Sequence, residues 1–495
     1  MLLFALTGAW AQDNTPPAGE ENPQSSSQEP APAYGQDNAP PPISENPPLS
    51  GLDLPSLEPH AAPLSYLQPG ATVSESAETN AANNVGGGGV TSVSRALGSL
   101  LLRRLWSNYD LALDYVGGVS YYSLQGQGFK ALQQADVDQR VTWKRTQLSL
   151  RDSFSYLPEG NFGGSYGSLG SQGAGSLGTP GFGSFFGGSS LGNLGLAPRI
   201  LNVSVADLAE NLTPKSVFTA AGGYAFSHYY GTDITGQSFI GSSQVTAQVG
   251  YNRLISSHTQ VALEYGYQAF DFSVTGTAFH TQLIQAMYGH RITGRMDLLI
   301  AAGPQITAID TQSAECSDPT ISLFLCTAFG DTLNSVPNKT TRLGVAGQIR
   351  LRYKFPKSML DLSVQRYQTS GSGLFTGTQS DIARASMSRP LSRVWTGFVD
   401  LGFAKNSRLQ PLTPQQVIAC TGPKLPGAEN ACPANNANSN SYGFAGLGLH
   451  RSMGREFHLF FSYQFNELLF NESYCLTNTP CNRISNRSTA TIGLD

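Results

Sequence analysis

Arg342, Arg350, Arg352 and Lys354 recur at even spacing along one stretch of chain, with Leu343, Val345, Ile349, Leu351, Tyr353 and Phe355 at the odd positions. A period of two places every basic group on one face of an extended strand and every apolar group on the other, whereas a helix would mix the two sets. After Pro356-Lys357 the alternation resumes, with Leu360, Leu362 and Val364 set against Asp361, Ser363 and Gln365. A tight turn there predicts a hairpin with Arg352 opposite Asp361 and Leu351 opposite Leu362, so that both faces match in one register. Rows of fixed bases facing acids create a field across the space between them, and such a field sorts ions by sign. The expected lining set is Arg342, Arg350, Arg352 and Lys354 with Asp361, Glu264, Gln248 and Gln365, biased toward anions. Lys354 lies near the end of its strand, at the rim. The competing reading is a charge ladder that only solvates the polar face and ties neighbouring strands.

Little else in the sequence suggests chemistry. The seven histidines (His60, His228, His258, His280, His290, His450 and His458) form neither HExxH nor a ligand-like pair. No GxSxG or phosphate-binding glycine loop appears, and His458 with Ser462 is a chance-level coincidence for a base and nucleophile. No enzymatic activity, cofactor or metal is expected. The six cysteines fall late and in close pairs: Cys316 with Cys326, Cys420 with Cys432, and Cys475 with Cys481. Proximity favours three local disulfides in an oxidising compartment, although six cysteines allow fifteen pairings. Zinc would want a CxxC or a nearby histidine.

The elements that must hold these residues can be read from composition and period. Of 495 residues only 13% are charged, while Gly numbers 54 and Phe plus Tyr 45. The net charge of −4 indicates no nucleic-acid partner. No apolar run approaches the eighteen or more residues of a spanning helix. Residues 1–94 carry ten acids and no Lys or Arg, and 14 of the 29 prolines lie between Pro16 and Pro69. Such composition cannot bury enough apolar surface to offset chain entropy. Residues 1–11, ending Ala9-Trp10-Ala11, read as a signal peptide. Residues 12–106 then read as a disordered acidic Pro/Gly-rich tail and lead-in, in which 91–106 suits a short amphipathic helix or a run into the first strand.

From about Ser107 to the end, alternation dominates. Val245, Ala247, Val249 and Tyr251 interleave with Gln244, Thr246, Gln248 and Asn252, and Val261, Leu263, Tyr265 and Tyr267 with Ala262, Glu264, Gly266 and Gln268. About sixteen strands are expected over 107–495. The connections alternate between tight turns, such as Thr293-Gly294 and Pro356-Lys357, and long ones at 158–199, 312–337, 409–439 and 471–481. That asymmetry is expected of a transmembrane antiparallel β-barrel with one end in the periplasm and the other outside. A β-sandwich would want more charge on its exposed face and shorter strands.

The phrases Arg151-Asp152-Ser153-Phe154-Ser155-Tyr156-Leu157-Pro158-Glu159-Gly160 and Tyr288-Gly289-His290-Arg291-Ile292-Thr293-Gly294-Arg295 resemble those of an uncharacterised branch of the porin-like outer-membrane β-barrels of Gram-negative bacteria. The resemblance implies location and shape, and names no catalytic residue. The chain departs from it by ending Ile492-Gly493-Leu494-Asp495 instead of on an aromatic residue. The expected function is passive diffusion of small polar solutes through the outer membrane, with the tail in the periplasm. The alternative is a structural or surface-binding barrel whose loops meet partners. Expected partners are outer-membrane lipid and small polar solutes, and a homo-oligomer is compatible with both readings. Loop 158–199, with 14 Gly and 7 Ser among 42 residues, reads as an extracellular loop or as a segment that narrows the channel. Tyr121, Tyr122, Tyr229, Tyr230, Phe270 and Phe272 are expected in the interfacial girdle. Phe270 and Phe272 lie off their strand's apolar register, so packing against a loop is the rival assignment.

Overall fold

A computed structural model describes residues 65–79, 89–123, 128–157, 199–230, 240–272, 276–316, 333–369, 375–410, 439–454, 457–471 and 482–494. Residues 1–64, read above as a signal peptide and the first part of a tail, and most of loop 158–199 lie outside these residues. So do five of the six cysteines, and the side chain of Cys316 is not described.

The described chain is almost wholly strand. In order, the elements are β1 (Tyr66–Thr79), β2 (Val90–Leu105), β3 (Tyr109–Tyr122), β4 (Gly128–Thr142), β5 (Thr146–Leu157) and β6 (Arg199–Thr213). Next come β7 (Ser216–Tyr229), β8 (Ser242–Ser256), β9 (Thr259–Phe272), β10 (Thr277–Thr293), β11 (Met296–Cys316) and β12 (Leu333–Lys354). The last six are β13 (Met359–Thr369), β14 (Thr378–Pro390), β15 (Trp395–Arg408), β16 (Ser439–Ser452), β17 (His458–Asn471) and β18 (Asn482–Leu494). Each pairs antiparallel with its sequence neighbours, and β1 also pairs with β18, from Val73↔Leu494 to Glu78↔Thr489. The result is a closed, all-β, 18-stranded antiparallel barrel. Closure leaves no sheet edge at the ends of the chain.

The strand count exceeds the sixteen expected because the barrel begins at Tyr66, not near Ser107. β1 and β2 occupy the stretch expected as tail and lead-in, and no helix forms at 91–106. In β1 the inward residues are Thr72, Ser74, Ser76 and Glu78, all buried. Its outward row is only Leu67, Pro69, Ala71, Val73, Glu75 and Ala77, too weakly apolar to announce a strand. Pairing with β2 over 14 residues and with β18 holds it there. Strand propensity is weak beside cross-strand context, and here context decides.

From β3 onward the sequence pattern and the register agree. Arg352 pairs with Asp361 and Leu351 with Leu362. The tight turns all fall at one end, after each even-numbered strand, and the long connections at the other. The outward positions carry exposed apolar groups such as Val249, Leu263, Ile284, Ile306, Val364, Phe403 and Tyr463. Apolar side chains in a continuous outer band are what lipid contact requires.

Two places depart from a regular cylinder. Between Leu283↔Gln305 and Ala286↔Ala302 the β10–β11 ladder is interrupted at Gly303-Pro304. Pro304 has no N–H to donate, and a Cβ on Gly303 would collide with the Ile284 carbonyl oxygen. Gly303→Val is therefore expected to block proper assembly, read as loss of the heat-modifiable folded band on a gel. The second departure lies between β12 and β13, whose pairing stops at Gly347↔Arg366 although β12 continues upward along β11 to Leu333. Above that point β13 leaves the wall and turns inward.

Candidate functional site

Inward positions follow from the register, because residues paired across an antiparallel ladder share a face. Arg342, Gln348, Arg350, Arg352 and Lys354 all lie on the inner face of β12, with Gln365 and Asp361 beside them on β13. Gln248 on β8 and Glu264 on β9 are also inward, and both are buried. The eight residues singled out in the sequence thus share the inner face, but they do not form one cluster. Asp361 does not oppose the basic row from across the barrel. It sits on the adjoining strand, where Arg350 donates to it at 2.7 Å and Arg352 approaches to 3.6 Å. Glu264 lies three strands from β12, opposite Gln285 on β10 and diagonal to Gln248 on β8. Part of the expected charge ladder therefore does tie neighbouring strands.

The acids that oppose β12 are others. β3 and β12 stand nine strands apart in an eighteen-strand ring, which makes them diametrically opposed. β3 carries Asp110 and Asp114 on its inner face and no base. β12 carries Arg342, Arg350, Arg352 and Lys354 on its inner face and no acid. The neighbour of β3 adds Asp136 and Asp138, with Asp136 directly across the ladder from Asp114. Local partners moderate part of this wall: Arg103 donates to Asp110 at 2.7 Å and Arg151 to Asp207 at 2.7 Å. Sequence reading passed over these aspartates although Asp110 and Asp114, like Asp136 and Asp138, share a face at even spacing. The missing signal was the strand count, because without β1 and β2 the strand facing β12 cannot be identified.

The inner face is not polar throughout. Leu97, Leu132, Leu157, Leu201, Val203, Val205 and Ala225 form a buried apolar patch on the long-loop half of β2 and β4–β7. A uniformly hydrophilic interior, the premise of the sequence reading, is thus corrected over this wall. A second apolar cluster lies at the long-loop mouth, where Phe270, Phe272, Phe279 and Ile309 project inward and meet Leu409. Phe270 and Phe279 stack with centroids 4.3 Å apart. Gly377, with φ of +79°, lies against Phe279, where any side chain would collide. Below it Thr281 donates to Gln368 at 2.5 Å, and the Gln368 amide donates to Thr307 at 2.5 Å. The upper end of β13 and the start of β14 thus rest on the inner wall of β9–β11. Phe270, Phe272 and Tyr122 are buried inside and do not belong to the girdle, whereas Tyr121 and Tyr230 are exposed.

Where β18 meets β1 and β2, Glu78 receives the guanidiniums of Arg487 on one side and Arg95 on the other, the latter at 3.1 Å. Glu78 is fully buried and both arginines nearly so. This triad bonds the three strands that close the ring.

No family model matches the chain, and no curated protein does. Solved barrels resemble it in outline at low identity. The crystal structure of Pseudomonas aeruginosa OccK2 (OpdF) is 10% identical, with 86% of this chain and 97% of that one covered and a TM-score of 0.37. A BenF-like porin from Pseudomonas fluorescens Pf-5 is 9% identical, with 86% and 97% covered and a TM-score of 0.39. The ferric-catecholate import receptor Fiu from E. coli K12 is 9% identical, with 86% and 81% covered and a TM-score of 0.39.

Proposed function

We propose that the chain is an outer-membrane channel through which small polar solutes diffuse passively, with a preference for anions. The observation that carries this reading is the opposition of an inner row on β12 whose charged groups are all basic to an inner row on β3 whose charged groups are all acidic, inside a closed cylinder with an apolar exterior. An apolar outer band suits lipid, and an eighteen-strand ring is wide enough to hold an aqueous path. Charges of opposite sign on facing walls orient and sort a passing ion.

Export of such a barrel agrees with the Ala9-Trp10-Ala11 signal and with the tail on the periplasmic side, where the tight turns belong. An oxidising compartment would let Cys316 and Cys326, Cys420 and Cys432, and Cys475 and Cys481 join as three loop-pinning disulfides at the opposite end.

The test is a planar-bilayer recording of the refolded protein under a salt gradient. Stable current steps with a reversal potential displaced toward the chloride equilibrium are expected. A barrel that inserts without conducting, or that favours cations, contradicts the proposal.

A further inference from the structure

The tight-turn end of the barrel carries a ring of bases. Lys144 and Arg145 lie between β4 and β5, Lys215 between β6 and β7, Arg295 between β10 and β11, Lys357 between β12 and β13, and Arg393 between β14 and β15. All six are exposed, and these five turns contain no acid. Among the described residues none of the six takes part in an ion pair. The inward acids near the same rim are already engaged, Asp297 by Arg291 at 3.1 Å and Asp400 by Arg384 at 2.7 Å. Arg455 and Glu456, one charge of each sign in the sequence before β17, lie outside the described residues.

The chain enters the barrel at this same end, because β1 starts at Tyr66 opposite Arg103, beside the β2–β3 turn. The 54 residues from Gln12 to Ser65 carry Asp13, Glu20, Glu21, Glu29, Asp37, Glu45, Asp53 and Glu58 and not one Lys or Arg. An acidic segment is thus tethered at a rim of unpaired positive charge.

We propose that residues 12–65 dock on this basic ring, held by many exchangeable carboxylate–ammonium and carboxylate–guanidinium contacts. This goes beyond the channel reading and stands independently of conduction. Each exposed contact is weak. Tethering converts the whole set into an intramolecular event at high effective concentration. Fifty-four residues have a coil dimension of roughly 40 Å, comparable with the roughly 35 Å width of an eighteen-strand cylinder, which is enough for acids to meet turns around the rim. Anionic phospholipid headgroups are the other chemistry able to neutralise such a ring. Tethering favours the tail, because it arrives with the barrel.

The experiment uses the full chain in zwitterionic detergent and a water-soluble carbodiimide, which joins a carboxylate to an amine in contact with loss of water. Mass spectrometry then identifies the linked peptides. Links from acids between Asp13 and Glu58 to Lys144, Lys215 and Lys357 are expected at low salt, falling several-fold at about 0.5 M salt. In parallel, protease nicking of the tail in the unmodified protein should accelerate with salt and in K144E/K215E/K357E. This second readout stands even if the variant folds poorly, because the salt series needs no substitution. Absence of tail-to-turn links at low salt, with nicking indifferent to salt, overturns the proposal. So does a triple variant that leaves nicking unchanged while losing retention on phosphatidylglycerol vesicles, which would assign the ring to lipid.

Discussion

Replacing Glu78 with glutamine should unfasten the barrel at its closing seam. Glu78 is fully buried between Arg95 of β2 and Arg487 of β18, and its two oxygens serve one guanidinium each. Glutamine keeps the shape but loses the negative charge, and its NH2 group faces one guanidinium donor to donor. Removing one partner from a buried ionic set costs about 3–5 kcal/mol, because the desolvated charges remain without their counter-charge. The expected result is a clear drop in the urea midpoint of the folded band, with β1 and β18 the first strands to exchange amide hydrogens. Ser76 lies on the same inner face of β1, bonded to Thr491 at 2.9 Å and receiving Arg95 at 2.6 Å. Ser76→Ala removes a neutral acceptor from Arg95 and leaves the counter-charge in place, so it should cost less, about 1–2 kcal/mol. An E78Q effect no larger than that of S76A would show that the triad does not secure closure.

Reversing the basic row should change what passes. Arg350 and Arg352 are poor first choices, since both attend Asp361 and their loss disturbs a strand pair. Arg342 and Lys354 lie on the same inner face outside that pair. The double substitution R342E/K354E turns two positive charges into two negative ones while leaving the Arg350–Asp361 bond in place. Selectivity in a charge-lined path follows the local potential, so the anion-to-cation permeability ratio should fall on the order of tenfold at low salt and by much less at about 1 M, where screening is short-ranged. The reversal potential across a salt gradient reads this directly. An unchanged ratio would mean that the row lies off the route taken by ions. The opposing pair D110N/D114N should shift the ratio the other way, toward anions.

Much of the wall could be read from period two alone. Once the turn at Pro356-Lys357 is fixed, the β12–β13 register follows, because only one alignment sets Arg352 against Asp361 and Leu351 against Leu362 together. The side of each tight turn from β4–β5 onward was equally legible from connection length, whereas the β2–β3 turn was not. The first two strands were hidden for a physical reason. β1 hides Thr, Ser and Glu inside and shows a thin outer row, so its composition matches a tail. β2 places Leu97 and Leu101 inward with Leu100 and Leu102 outward, which resembles a helix more than an alternating strand. Glu78, counted among the acids of the tail, is the residue that closes the ring.

The inner face was legible strand by strand but not as a space. Which acids oppose β12 depends on counting strands around the whole circle, a quantity no local pattern contains. Phe270 and Phe272 stood out of register in the sequence, and they pack inward with Phe279, Ile309 and Leu409, where Gly377 at the start of β14 lies against Phe279. The apolar patch at Leu97, Leu132 and Leu157 spreads over strands far apart in sequence, joined where Gly118 lets Leu97 and Leu132 flank a residue without a side chain.

Closure between β1 and β18 underlies every statement about facing walls, and a paired-cysteine measurement reaches it directly. Ala77 and Ala490 are register partners, both exposed on the outer face. In a ring of sixteen strands beginning near Ser107, the last strand would instead lie against β3, whose outer row carries the exposed Val119. Mild oxidation of membrane-inserted A77C/A490C should yield a peptide linked through these two positions, and V119C/A490C should yield none. A link in the Val119 pair with none in the Ala77 pair would contradict the eighteen-strand ring and the charge opposition built on it.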